Sequence, residues 1–94
     1  MDWKDVKKKL IENDPFLEEE LEKLKPKYQM IRQIIELRIK NNITQTELAK
    51  RINDRQANIA RLENGNANPS LEKLCKIAEG LNTKLEIKFI PKSL

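Results

Sequence analysis

Apolar residues recur at intervals of three and four along most of this chain, which is the spacing of amphipathic α-helices. The first two helical stretches are separated by Asn13-Asp14-Pro15, and Asp14 and Pro15 suit the start of the second. Pro26 is expected to end that second helix, because the residue before a proline is pushed out of the α region. The pattern therefore predicts a mainly α protein whose first three helices lie at about residues 3–12, 15–25 and 27–40. Two short helices follow before Gly65, and a sixth helix is expected to be capped by Ser70 and to end at Gly80.

The end of the chain has a different period. Residues 84–89 alternate polar and apolar side chains, which predicts one half-buried C-terminal β-strand. A lone strand leaves its edge N–H and C=O groups unpaired. We therefore expect residues 83–94 to pair with the same segment of a second copy and form a homodimer. Pairing with a sheet edge of a different protein is the alternative.

Two short helices joined by a tight turn occupy residues 43–65. Thr44 and Glu47 have the spacing of a capping box, in which each side chain bonds the backbone N–H of the other residue. Asn53 is expected to supply the turn, since asparagine tolerates a positive φ. Asp54 or Arg55 is expected to begin the helix that follows.

The outer face of that second short helix has the composition of a surface that enters the DNA major groove. It holds Gln56, Asn58 and Arg61, with the small Ala57 among them. A glutamine can make a bidentate contact with adenine, an arginine can do so with guanine, and an alanine can touch a thymine methyl group. A solvated helix face has similar residues, so the composition alone does not decide between these interpretations.

Other polar residues near this face suit DNA phosphates, which position a protein without specifying sequence. Gln45 lies at a helix N-terminus, where backbone N–H groups favour an anion. Arg55 and the asparagines of the following loop are further donors. We therefore expect a DNA interface formed by Thr44, Gln45, Arg55, Gln56, Ala57, Asn58, Arg61, Asn64, Asn66 and Asn68.

Composition narrows the function classes. The 94 residues have a net charge of +4, and residues 27–94 account for +6 while residues 1–26 have −2. A basic surface favours polyanions. The chain has no histidine and only Cys75, expected to be buried, so internal disulfides and the common Ser–His or Cys–His pairs are excluded. With so few metal-binding and nucleophilic groups, we expect a non-enzymatic protein without metal or cofactor. No apolar run approaches the length of a membrane span, so we expect the protein to be cytoplasmic.

Residues 43–81 resemble the Cro/cI-type (XRE) helix-turn-helix family in I-T-Q-x-E-L-A (43–49), R-L-E-N-G (61–65), N-P-S-L (68–71) and L-x-K-I-A (74–78). The resemblance implies a lambda-repressor-like domain of about five helices at residues 27–82, a dimer on a palindromic operator, and a structural ion pair between Arg38 and Glu63. Asn53 replaces the family's usual glycine. Asp54-Arg55 stands where a hydrophobic residue and a Ser/Thr cap are usual.

The whole chain is similar to HigA-type antitoxins through W-K-D-V (3–6), N-D-P (13–15), E-L-E-K-L-K-P-K-Y (20–28) and K-L-E-I-K-F-I-P (84–91). This similarity implies a RelE/HigB-like toxin partner that cleaves mRNA on ribosomes, and repression of the shared operon. Packing on the chain's own core, and a stand-alone transcription regulator without a toxin, are the alternatives. We expect the N-terminal helical extension, residues 1–26, to bind the toxin through Trp3, Val6, Leu10, Phe16, Leu17, Leu21 and Leu24.

Overall fold

The computed structural model describes residues 3–13 and 18–92, and within them the mainly α-helical prediction is confirmed. The helices are α1 (Trp3–Asn13), α2 (Glu18–Lys40), α3 (Gln45–Arg51), α4 (Gln56–Glu63) and α5 (Leu71–Gly80). The predicted helix start at Asp14-Pro15 lies outside the described residues. Within that part of the chain, no helix combines the length and apolar content that a membrane span needs.

The predicted break at Pro26 is wrong, because α2 continues through this proline. A proline inside a helix lacks one backbone N–H and so removes one intrahelical hydrogen bond. Leu21, Ile31 and Ile34, on both sides of Pro26, are each at most 6% exposed, so their burial favours one continuous helix. The expected boundary between residues 1–26 and 27–82 therefore falls inside α2, and residues 27–82 contain the rest of α2 with α3, α4 and α5.

One apolar core joins α2, α3, α4 and α5. Leu48 of α3 and Ile59 of α4 have no exposed surface, and Ile77 of α5 is 1% exposed. Burying a side chain of this size stabilises a fold by roughly 1.5–3 kcal/mol. The rest of the buried cluster consists of Ile34, Ile43, Ala49, Leu62 and Leu81. This core sets the positions of the two short helices relative to each other.

The connections depend on residues that adopt a positive φ. Asn53, between α3 and α4, has a φ of 56°, which confirms its predicted role in the turn. Asn42 and Gly65 follow the ends of α2 and α4 with φ values of 57° and 79°. As predicted, the last helix ends at Gly80, and the positive φ after this end, 56°, belongs to Asn82.

Gly80 also permits the close approach of α5 to α3. A Cβ atom at this position would lie 2.9 Å from Cγ2 of Ile52 and 3.0 Å from Cδ1 of Leu48. These distances are shorter than carbon–carbon contacts in a packed core. The glycine therefore lets the two helices pack together and supports the position of α3.

Cys75 is exposed, so its predicted burial is wrong. The buried side of α5 consists of Ile77 and Ala78, with Leu74 partly buried against the core. Cys75 follows Leu74 by one residue, and successive residues of an α-helix point in directions about 100° apart. Leu71 begins the helix and is 62% exposed, because the core does not extend to this end.

The predicted C-terminal β-strand is also wrong for this single chain, since residues 83–92 contain no strand. A strand is defined by backbone hydrogen bonds to a neighbouring strand. The described part of the chain offers this segment no other strand to pair with. Ile87, Phe89 and Ile90 are 54%, 97% and 83% exposed. Residues 83–87 border a groove of about 700 Å³ between α2 and α5.

Candidate nucleic-acid interface

The N-terminus of α3 is formed by the predicted cap. The backbone N–H of Glu47 donates to Oγ1 of Thr44 at 3.0 Å, and Thr44 has the extended backbone of an N-cap residue. The Glu47 carboxylate instead accepts a hydrogen bond from Nε of Arg51, one turn later, at 3.3 Å. It is therefore not used to accept from the backbone N–H of Thr44. Half of the expected capping box is therefore present, and it orients the first turn of α3.

Helix α4 has one buried face and one exposed face. Ile59 and Leu62 point into the core, whereas Gln56, Ala57, Asn58 and Arg61 are exposed. The helix begins at Gln56, and Arg55 is its N-cap residue without a side-chain capping bond. The exposed face thus begins in the first turn of the helix and is open within the described part of the chain.

Gln45 and Gln56 connect the N-termini of α3 and α4. Nε2 of Gln56 donates to Oε1 of Gln45 at 2.8 Å, and Nε2 of Gln45 donates to Oε1 of Glu63 at 3.1 Å. A carboxylate only accepts hydrogen bonds, so Glu63 fixes the orientation of the Gln45 amide, and Gln45 in turn fixes that of Gln56. The sequence predicted both glutamines as DNA contacts but gave no indication of this connection.

The ion pair between Arg38 and Glu63 lies behind this chain of hydrogen bonds. Nε and one terminal nitrogen of Arg38 donate to the two Glu63 oxygens, both at 2.8 Å, and the other terminal nitrogen donates to the carbonyl of Ile43 at 3.0 Å. The side chains are 14% and 5% exposed. The hydrogen bond to Glu63 raises the pKa of Arg38, although burial acts in the opposite direction. Both groups therefore remain charged, and their ion pair links α2 to α4.

A second polar cluster, which the sequence analysis did not identify, lies on the other side of α4. Oδ1 of Asp54 accepts from the backbone N–H of Arg55 and from Nδ2 of Asn58, both at 2.7 Å. The Asp54 carboxylate also pairs with the ammonium group of Lys73 in α5. The departure of Asp54-Arg55 from the family pattern was the available signal for this cluster.

The remaining expected DNA contacts lie before and after α4 in the chain. Thr44 and Arg55 are exposed, and so are Asn64, Asn66 and Asn68 in and beside the loop after α4. Asn58, Arg61 and Leu62 of α4 border a cleft of about 280 Å³ whose other residues come from this loop and from the start of α5. The arrangement can offer amide and guanidinium groups to base edges, with further donors at its margin for phosphates.

The residues expected to bind a toxin differ in how far their side chains are exposed. Leu21 is 5% exposed and Leu24 is 40% exposed. Val6 of α1 lines an apolar cavity of about 280 Å³ against α2. Trp3 and Leu10 belong to α1, but their side chains lie outside the described structure, as do Phe16 and Leu17 entirely. Leu21 is thus buried by its own chain, whereas Leu24 is available on the surface.

An exposed helix after a short helix and a tight turn is the arrangement of helix-turn-helix proteins. Residues 34–88, more than half of the chain, match the family model HTH_3, "Helix-turn-helix", and the chain belongs to this family. Two relatives from Archaeoglobus fulgidus are 51% and 46% identical over 57 residues, which is 61% of this chain and 80% and 81% of theirs. Each is named "Uncharacterized HTH-type transcriptional regulator". No solved structure matches the chain.

Proposed function

We propose that the chain is a sequence-specific, DNA-binding transcription regulator that inserts α4 into the major groove. The observation that carries this proposal is the exposed face of α4, where Gln56, Asn58 and Arg61 surround the small Ala57. Family membership, the names of the two relatives and the net charge of +6 over residues 27–94 support it.

The hydrogen bonds around Gln56 favour contact with adenine. One N–H of its amide is used by Gln45, which leaves the second N–H and Oε1 for a ligand. Adenine offers N7 as an acceptor and the N6 amine as a donor, so these two groups are complementary to it. Arg61 lies about one and a half turns further along α4, and its guanidinium suits O6 and N7 of guanine.

The phosphate contacts are proposed on both sides of the groove. Gln45 has one amide N–H in addition to the one donated to Glu63, and it lies at the N-terminus of α3 beside Thr44. Arg55 and the exposed Asn64, Asn66 and Asn68 lie near the two ends of α4. These groups would fix the depth and angle of α4 in the groove, while its exposed face distinguishes sequences.

A homodimer would present two such helices to one face of the duplex. We place the dimer contact in residues 83–94, because Ile87, Phe89 and Ile90 expose large apolar surfaces and Ile87 also borders the groove between α2 and α5. Pairing with the same segment of a second copy would satisfy the unpaired backbone groups. Two reading helices about 34 Å apart would then require a palindromic operator. Pairing of this segment with a toxin is the alternative.

The more specific proposal is an antitoxin that neutralises a ribosome-dependent, mRNA-cleaving toxin of the RelE/HigB-like type and represses its own operon. Its support is the similarity of residues 3–6, 13–15, 20–28 and 84–91 to HigA-type antitoxins. Leu24 adds an exposed apolar side chain on the early part of α2. The alternative is a stand-alone regulator of the phage or chromosomal type, which would bind DNA without a toxin.

Growth rescue tests the antitoxin proposal. The full chain, expressed together with the small protein encoded next to it, should restore the growth that this neighbour inhibits and should co-purify with it. Leu24→Glu is expected to abolish both effects, because a charge would be buried in the contact. Ile39→Glu is the matched control, since Ile39 is an apolar residue of the same helix, 61% exposed, outside the proposed contact.

Three outcomes separate the possibilities. Loss of rescue with Leu24→Glu but not with Ile39→Glu supports the antitoxin with the proposed contact. Unchanged rescue by Leu24→Glu would contradict that contact. A neighbour that neither inhibits growth nor binds the wild-type chain would contradict the antitoxin and favour the stand-alone regulator.

A further inference from the structure

Asp54 precedes α4 and points toward the protein rather than toward solvent. Its side chain is 13% exposed, and its carboxylate contacts a backbone N–H, the Asn58 amide and the Lys73 ammonium group. It is therefore shielded from a ligand on the exposed face of α4. Its neighbour Asn58, in contrast, is exposed on that face.

The contact between Asp54 and Asn58 fixes which way the asparagine amide points. An ionised carboxylate has no hydrogen to donate, so the Asn58 atom 2.7 Å from Oδ1 of Asp54 has to be the amide nitrogen. Turning the amide over would place two oxygens against each other at this distance. The amide oxygen is consequently directed away from Asp54 and remains available as a hydrogen-bond acceptor.

We propose that Asp54 is a positioning residue for base selection, which holds the Asn58 oxygen toward the DNA so that the contacted base must carry an exocyclic amine. This inference rests on the proposed binding of α4 in the major groove. Adenine and cytosine present an amine there, whereas guanine and thymine present O6 and O4. Adenine also matches the second N–H of the Asn58 amide through N7, so the expected preference is adenine, then cytosine, with guanine and thymine disfavoured.

A substitution at Lys73 can separate this role of Asp54 from simple stabilisation of the fold. Its ammonium group, on α5, pairs with the same carboxylate and so links the start of α4 to α5. Asp54→Ala removes both the ion pair and the acceptor for Asn58. Lys73→Met removes the ion pair but leaves the acceptor for Asn58 in place. The two variants therefore lose the same ion pair, and only Asp54→Ala frees the Asn58 amide to rotate.

The test measures the affinity of the full chain for duplexes in which each position of its preferred site is varied through all four bases. Asn58→Ala identifies the position that depends on this side chain. At that position, the wild type is expected to favour adenine or cytosine over guanine or thymine by about fivefold or more, the effect of one hydrogen bond. Asp54→Ala is expected to reduce this ratio to about twofold or less, while Lys73→Met keeps it.

The use of ratios separates base selection from general loss of affinity or of folded protein. A wild-type preference for guanine or thymine at the position identified by Asn58→Ala would overturn the inference. An unchanged ratio in Asp54→Ala, or an equal loss in Lys73→Met, would also overturn it while leaving the proposed DNA binding intact. A wild-type chain that discriminates at no position would refute the proposed function, and the inference with it.

Discussion

Replacing Gln56 with alanine is expected to lower the affinity for the preferred DNA site about 10- to 100-fold, which corresponds to the loss of one bidentate base contact. The amide of Gln56 is already oriented by Gln45, so little conformational entropy is lost when it binds a base. Affinity for a scrambled duplex should hardly change, because nonspecific binding depends on charge. Fluorescence anisotropy titrations with both duplexes at one salt concentration measure these affinities.

Gln33→Ala is the matched control for this prediction. Gln33 is an exposed glutamine on α2, outside the proposed DNA interface, so its removal should leave both affinities unchanged. An equal loss with Gln56→Ala on the preferred and the scrambled duplex would mean that Gln56 contributes no base discrimination. No loss on either duplex would place Gln56 outside the interface.

Replacing Glu63 with alanine is expected to lower the free energy of unfolding by about 3 kcal/mol, because it leaves the Arg38 guanidinium in the protein without its counter-ion. It also removes the acceptor that orients Gln45. For a chain of this size, the midpoint of thermal unfolding should fall by on the order of 15 °C. Circular dichroism during thermal and urea unfolding measures both quantities.

Glu72→Ala provides the comparison, because Glu72 is a glutamate that pairs with Lys76 one turn later at 4.0 Å on the surface. An exposed pair of this kind contributes at most about 0.5 kcal/mol, so this variant should unfold close to the wild type. If Glu63→Ala were as stable as Glu72→Ala, the Arg38–Glu63 pair would not have the structural importance that its burial indicates.

The parts of the fold that could be predicted from the sequence depend on local interactions. The Thr44 cap involves residues three apart, and the turn at Asn53 depends on the tolerance of asparagine for a positive φ. The buried Ile59 and Leu62 and the exposed Gln56 and Arg61 follow from the helical period of a single element. Such features do not require knowledge of which elements pack together.

Most of the incorrect or missing predictions concern features that depend on neighbouring elements. Pro26 lies within α2, where apolar contacts along the helix compensate for one lost hydrogen bond. The close packing of Leu48 and Ile52 against Gly80 was not predicted, because no local pattern indicates it. The alternation of residues 84–89 indicates a strand only if a second strand is present to pair with it.

For the candidate DNA interface, the sequence predicted which residues are exposed but not the hydrogen bonds that orient them. The residues on the exposed face of α4 follow from the helical period, and the family resemblance gave the pairing of Arg38 with Glu63. Asp54 and Asn58 are only one helical turn apart, but the bonds from Glu63 through Gln45 to Gln56, and from Lys73 to Asp54, join residues that are distant in sequence. They require the packed arrangement of α3, α4 and α5, which a single sequence does not specify.

Selection of bound duplexes from a random pool tests most directly whether α4 determines DNA sequence preference. We expect the full chain to enrich an inverted repeat whose half-site centres are about 10 base pairs apart, with adenine and guanine in each half-site. Arg61→Ala should no longer select the guanine while keeping the rest of the motif. A pool without a shared motif, or the same motif for Arg61→Ala as for the wild type, would contradict the account.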